Sequence, residues 1–539
     1  MVATTQAHDD PHGGRKRWLD GAVGYQVYVR SFADSNGDGI GDLPGITARL
    51  DYLEWLGVDI VWITPFFRSP GHDHGYDVSD YCDVNPIHGT LADADELIER
   101  AHQLGLRVVF DIVPNHSSSE HRWFQKALAD PSSPERDYYL FRDPAPDGGP
   151  PNNWLSHFGP TAWTLDEASG QYYCHLFLPE QPDLNWRNPA VRAEFDAIYR
   201  FWFDRGVDGF RIDVAHGLLK HPDFPDIPQV KPIPPGAGPL ETFFSFDHVH
   251  DLDQDDNVEI YERWQEVADP YGACLIAEAG IEDHHRQARL VRPGALDLTF
   301  FLKPGWMSWD PAKLISEVVG LGQVEPAGIA WCISNHDNAR PVSRFGGGAA
   351  GRNRSMAATT LMFALGGVPF LYQGEELASP NGVIAPENRH DPISTRNETD
   401  EGRDVSRTPM AWNAELYNGF STAVPWIVAE DRPVELTVAG QQADDTAPLY
   451  RYRRLIALRR DHPDLWQAEL EVLASGRDDV AVLRRGATLT VANLGESAFA
   501  LDLGEDQWRV VFASQGGDGE VATGKARIPG ETTVVLVSA

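Results

Sequence analysis

The chain has 539 residues, 42% hydrophobic and 23% charged, a soluble globular composition too long for one compact unit. Its 45 basic and 80 acidic residues leave a net charge of −35, which argues against nucleic acid as a partner, since phosphate binding wants a basic face. No run reaches transmembrane length and the polar start lacks a signal-peptide core, so residues 1–17 are expected to form a disordered tail on a cytoplasmic protein with no membrane partner.

Short apolar runs, each fit for a strand buried on both faces, follow in order at 23–32, 58–67, 106–114, 207–214, 273–277, 296–302, 328–334 and 368–372. Helix-like stretches lie between most of them, at 46–56, 91–104, 191–203 and 354–365. Eight strands alternating with helices predict a closed parallel (β/α)8 TIM barrel. An open doubly wound sheet is the competitor, and no GxGxxG follows the first strand. The gap between His116 and Val207 is too long for a loop and predicts a small inserted domain at 117–187, which splits the barrel into 18–116 and 188–464. After the eighth strand comes a long polar, Pro-rich stretch, then a helix at 449–460. From 465 to 539, short alternating runs predict a C-terminal antiparallel β-sandwich domain. Cys82, Cys174, Cys274 and Cys332 form no CxxC pair, which points to buried thiols in a reducing compartment.

Catalytic groups of such barrels sit at the C-terminal ends of strands. This chain puts acids there repeatedly: Asp111 on strand three, Asp213 ending strand four, Glu278 ending strand five and Asp337 after strand seven. A barrel interior disfavours unpaired charge, so one acid could be structural, but several converging beside Arg211, His116 and His336 are not easily so read. Arg211 and Asp213 face the same way, and the arginine is expected to keep its neighbour ionised for nucleophilic attack. Paired carboxylates without metal-ligand spacing suggest glycoside cleavage, one acid attacking while the other protonates the leaving oxygen.

At these residues the sequence resembles the α-amylase family of glycoside hydrolases, in its oligo-1,6-glucosidase and α-glucosidase branch. The resemblance rests on Asp111-Ile112-Val113-Pro114-Asn115-His116, Gln181-Pro182-Asp183-Leu184-Asn185, Gly209 to Val214, Glu278 and Asn335-His336-Asp337, in that order. It implies Asp213 as nucleophile, Glu278 as general acid/base, and Asp337 as the acid that grips the sugar's 2- and 3-hydroxyls. Arg211 would orient Asp213, His116 and His336 would donate to hydroxyls, Tyr76 would stack under the ring, and Phe158 would wall the pocket. Asp77 and Arg407 would meet across a closed floor, giving exo action from the non-reducing end. The loop with His390-Asp391-Pro392 and Gly402-Arg403-Asp404 resembles the 1,4-cleaving maltases and is expected to reach the leaving-group side, whereas Val214 resembles the 1,6-cleaving members. Asn338-Ala339 and the Pro-rich segment 232–239 depart from the branch.

The run Asp34 to Asp42 alternates oxygen ligands around Gly37, like the front of an EF-hand loop. The resemblance places a structural Ca2+ there, held by Asp34, Asn36, Asp38, the Ile40 carbonyl and Asp42, and implies no organic cofactor. The expected function is a retaining, exo-acting α-glucosidase on a short oligosaccharide or α-glucoside, α-1,4 favoured over α-1,6, as a monomer or homodimer. The alternatives are a transglycosylase or isomerase on sucrose, maltose or trehalose, and a catalytically silent sugar-binding scaffold.

Overall fold

A computed structural model describes residues 16–325, 327–396 and 402–538. Eight parallel strands close into a barrel: β1 (Gly24–Val27), β2 (Ile60–Ile63), β3 (Arg107–Ile112), β4 (Gly209–Ile212), β5 (Cys274–Ala277), β6 (Leu298–Phe301), β7 (Ile329–Trp331) and β8 (Val368–Tyr372). Each pairs with its sequence neighbours, and β8 closes onto β1 with Gly24 opposite Phe370. Every predicted apolar run holds one of these strands. The first run overreaches: β1 stops at Val27, and Val29–Phe32 is one helical turn.

Side-chain alternation sorts the strands into an inner and an outer face. Ile60, Trp62, Val109, Cys274, Ile276, Leu298, Phe300, Ala330, Cys332, Val368 and Phe370 form one buried cluster that fills the barrel. Continuing that parity along the chain brings Asp111, Asp213 and Glu278 inward at the C-terminal end. The outer face packs on the surrounding helices. Leu91–Gln103 shows how these form: Thr90 and Asp93 make a reciprocal capping box, and Ala94, Leu97, Ile98 and Ala101 bury one stripe. The expected tail at 1–17 lies outside the described residues up to position 15. Its last part is ordered, because Arg17–Leu19 is a 3-10 turn that seats the fully buried Leu19 in the barrel cluster, with Lys16 paired to Asp269.

Between β3 and β4 the chain makes a three-stranded sheet with Gln171–Cys174 between Phe141–Arg142 and Trp163–Asp166. It leaves and returns side by side, through a bridge between His116 and Asp183. At that junction Lys220 is buried against Asp183 at 2.8 Å and Asn115 at 2.9 Å. C-terminally, a six-stranded antiparallel sheet has Thr532–Ser538 between Thr488–Asn493 and Trp508–Ala513. Ala481, Leu483, Ala492 and Leu494 face the barrel helices, while Val480, Val482, Leu489 and Val491 face Ile528 of a two-stranded sheet made with Phe499–Asp502.

Candidate active site

Register brings the acids together. Arg211 on β4 stands opposite Asp111 on β3 and Ile276 on β5. Its Nη1 donates to Asp213 Oδ1 at 2.6 Å and to Asp111 Oδ1 at 2.9 Å, and its Nη2 is 3.7 Å from Glu278 Oε2. One guanidinium thus serves three carboxylates. Glu278 is also held by the chain after the nucleophile, whose Val214 N–H donates to Glu278 Oε2 at 2.8 Å. Val214 adopts φ 46° and ψ 43°, a left-handed conformation that a β-branched residue rarely takes, and such strain persists where surrounding contacts fix it.

Arg211 draws the Asp213 pKa down, as expected from sequence, but burial pulls harder the other way. Burial pushes the Asp213 carboxyl well above its ordinary range, and the charges of Glu278 and Asp111 add to that against the pull of Arg211. Asp111 is pushed up to about 7, again by burial. The Arg211 pKa is raised too, which firms its positive charge: burial lowers it, but the charges of Asp111, Asp213 and Glu278 more than offset that. Asp111 also accepts from Trp62 and Tyr76, both at 3.2 Å, and is a support for Arg211.

Asp337 sits opposite in character. Arg407 Nη2 donates to its Oδ1 at 2.8 Å and Arg403 Nη1 at 3.3 Å, with His336 Nε2 3.3 Å from Oδ2. Burial pushes this carboxyl up, but His336 and the two guanidiniums more than reverse it and hold it below the usual carboxylate range. Burial keeps the His336 pKa well below its ordinary value, so the ring is neutral at neutral pH and the guanidiniums carry the effect. Tyr76 Oη meets His336 Nε2 at 2.6 Å, and the two rings are parallel with centroids 5.4 Å apart. His116 Nε2 lies 3.0 Å from both the Tyr76 carbonyl and Gln181 Nε2. The neighbourhood expected for Tyr76, His116, Arg211 and His336 is therefore present.

Asp77 and Arg407 do not meet. Asp77 is fully buried and accepts from Ser69 Oγ and from the His72 and Asp73 amides, so it folds its own loop. Arg407 instead spans Asp337 and the His336 carbonyl, the latter at 2.8 Å from Nε. The residue that sequence reasoning missed is Arg403. It grips Asp391 with Nε and Nη2, reaches Asp73 at 2.9 Å, touches Asp337, and lies 5.4 Å from the ring centroid of Phe158. Asp391 and Arg403, which flank the loop expected to reach the leaving-group side, stand on the Asp337 side, while residues 397–401 between them lie outside the described residues. An arginine between two glycine- and acid-rich segments gives no local sign of three distant partners.

The 34–42 loop is closed by its own backbone. Asp34 accepts from the Asn36, Gly37 and Gly39 amides, Asn36 from Asp38, and Asp38 from Ile40, while Asp42 caps the helix Leu43–Thr47 through Gly45. The side chains offer oxygen only, as calcium requires. Among the described residues, no three His, Cys, Asp or Glu side chains gather as a metal cluster.

Paired carboxylates at the C-terminal mouth of a (β/α)8 barrel define an enzyme that cleaves a neutral bond by nucleophilic and acid/base chemistry. The chain belongs to the alpha-amylase family, whose catalytic domain matches residues 26–468. It is 39% identical to a probable alpha-glucosidase of Rhizobium meliloti (strain 1021), over 90% of this chain and 89% of that one. It is 36% identical to an oligo-1,6-glucosidase of Heyndrickxia coagulans, over 92% and 96%. A solved alpha-glucosyl transfer enzyme, XgtA, matches 97% of this chain and 99% of its own at 37% identity, with a TM-score of 0.90. No helix among the described residues is long and apolar enough to cross a membrane.

Proposed function

We propose that the chain is a retaining, exo-acting α-glucosidase that releases α-glucose from short α-glucosides. The observation that carries this is the joint hold of Arg211 and the Val214 N–H on Asp213 and Glu278. Carboxylates sharing one guanidinium suit the retaining separation of about 5–5.5 Å better than the wider inverting one. Asp213 attacks the anomeric carbon as Glu278 gives its proton to the departing glycosidic oxygen. Glu278 then takes a proton from water, which attacks the glycosyl ester and frees Asp213. Two inversions leave the α-anomer. Exo action is supported by Arg403 and Arg407, whose guanidiniums crowd the Asp337 side of the site.

The α-1,4 preference is best tested directly, because Asp391 and Arg403, which flank the loop that suggested it, stand by Asp337, while Val214 touches the acid/base. Proton NMR of fresh hydrolysate should show α-glucose first, and kcat/KM on maltose should exceed that on isomaltose. A β-anomer would overturn retention, and an isomaltose preference the linkage. A second reading, transfer of the glucosyl group to an acceptor sugar, is favoured by the likeness to XgtA. Larger saccharides accumulating from concentrated maltose would establish it.

Four cysteines with no CxxC pair among them support a reducing, cytoplasmic setting, and we expect a monomer or homodimer. For the 34–42 loop we propose a weakly held structural Ca2+ on Asp34, Asn36, Asp38, the Ile40 carbonyl and Asp42, supported by the all-oxygen set. The melting temperature should be a few degrees higher in calcium than in chelator, the behaviour of an ion bound to the native state alone. Asp38→Ala should erase that difference and leave kcat largely intact. Identical melting of the wild type in both conditions would remove the ion from the account.

A further inference from the structure

Between the nucleophile on β4 and the acid/base on β5 the chain makes an excursion over residues 218–256. On one flank it packs on the inserted sheet: Ile227, Phe243 and Leu252 share a buried cluster with Leu140, Trp154, Trp163 and Leu176. On the other it is tied to the helix His284–Arg289 after Glu278, where Arg286 Nε donates to Asp253 Oδ2 at 2.5 Å and Arg289 Nη1 to Asp255 Oδ1 at 2.9 Å. Its Asp253 amide donates to the carbonyl of His216, whose ring approaches Gly280, two residues past the acid/base. The excursion therefore stands as a wall on the side where Glu278 protonates the leaving group.

What fastens this wall is a run of rings. His116, at the sugar site, lies 5.1 Å from Phe177 of the inserted domain. Phe177 stacks on His157 at 4.7 Å, His157 on Phe243 of the excursion at 3.9 Å, and Phe243 on His248 at 3.6 Å. The last ring is unusual in its partners. His248 Nδ1 is 2.7 Å from Asp251 Oδ2, and Nε2 is 2.9 Å from the Phe243 carbonyl oxygen. Both partners only accept, and a neutral imidazole can donate from only one nitrogen. We propose that His248 is held as an imidazolium and that its cation–π contact with Phe243 clamps the excursion to the inserted domain, so that admission of a second sugar on the leaving-group side depends on pH.

The charges facing His248 agree. Asp251 and Asp247 come from its own segment, and His157 and His216 from the elements packed against it. Burial lowers the pKa values of both His157 and His216, His157 to about 3, so the neighbouring rings are neutral and the two acids prevail. Burial opposes the charge on His248 too, but the hydrogen bond and charge of Asp251, with the Phe243 carbonyl, raise its pKa above the ordinary value. A raised histidine pKa gives stabilisation that is complete below the unfolded value and lost as pH rises through the folded one. The clamp is therefore closed at low pH and loosens as pH rises through the raised value of His248.

The test compares the full-length wild type with His248→Gln, which cannot titrate, and with Phe243→Leu, which removes the ring. Hydrogen exchange over residues 224–250, corrected for intrinsic rate, is read across a pH series rising from about 6, near the ordinary histidine value, to about 9. KM is measured alongside for maltose and for α-glucosyl fluoride, whose leaving group is a single atom that meets no wall. Wild-type protection should fall and maltose KM rise about fivefold across that range, the scale of one cation–π contact, with the fluoride unaffected. Both variants should show the high-pH exchange and maltose KM at every pH, with kcat on the fluoride unchanged. A wild type flat in exchange, or a His248→Gln variant that keeps the wild-type slope, overturns the clamp. The kinetic arm rests on the glucosidase reading. Failure of that reading would show as no turnover of the fluoride, while the exchange arm would still judge the clamp.

Discussion

Asp213→Asn should abolish turnover and, at neutral pH, raise the melting temperature. An amide cannot form the glycosyl ester, so kcat should fall on the order of 10^4-fold or more, as for other nucleophile deletions. The stability gain comes from the same three-acid cluster. Burial raises the Asp213 pKa, with Glu278 and Asp111 adding to it against Arg211. A carboxyl with a folded pKa above its unfolded one binds its proton more tightly in the native state. Its contribution is present at acid pH and lost as pH rises through the folded value. The ionised nucleophile is thus a net burden at neutral pH. Asparagine removes that charge, and Arg211 retains Asp111 at 2.9 Å. A gain of about 0.5–2 kcal/mol is the size common for single stabilising substitutions, whose recurrent cost is lost function. The advantage should shrink as the buffer is made more acid and the wild-type carboxyl takes up its proton. For the same reason the acid limb of kcat/KM should lie above the ordinary carboxylate range. An inactive variant melting no higher than wild type at any pH would mean that the Arg211 pair outweighs burial.

The barrel was legible in the sequence because its strands are apolar on both faces and so break the surrounding text sharply. The three inward acids were legible because period two carries them from Val109, Arg211 and Ile276 into the mouth. What escaped were features made by tertiary contact. Strands Phe499–Asp502 and Lys525–Ile528 are short and half exposed, so their alternation is too weak to stand out. Asp77 was paired with Arg407 by resemblance, but it is consumed by three donors within its own loop. Arg403 was seen only as part of a loop, since Asp73, Asp337 and Phe158 are far from it in the chain. The left-handed Val214 gave no sign either, because valine is a poor residue for that conformation and only the hold of Glu278 and the barrel explains it.

Asp337→Asn should also silence the enzyme, with the opposite effect on stability. The loss of activity follows if Asp337 grips the sugar's hydroxyls through the transition state, and it should appear in kcat and kcat/KM together, the sign of a contact made mainly there. The stability change follows from Arg403 and Arg407. Asp337 has a folded pKa held below the carboxylate range, so its contribution is present above the unfolded value and lost only as pH falls towards the folded one. At neutral pH the whole of it is in force. Arg403 keeps Asp391 and Asp73 when Asp337 is neutralised. Arg407 is fully buried and has no other carboxylate bonded to it among the described residues, so its charge is left with no counter-ion, only the neutral amide, the His336 carbonyl and the Tyr28 ring. Removing one partner of a buried pair costs roughly 3–5 kcal/mol, and the quarter exposure of the Asp337 side chain brings the expectation to about 1–3. Asp213→Asn and Asp337→Asn, the same chemical change at two acids of one site, should therefore shift the melting temperature in opposite directions at pH 7. Shifts of the same sign in both variants would show that the two carboxylates share one electrostatic environment, contrary to the geometry.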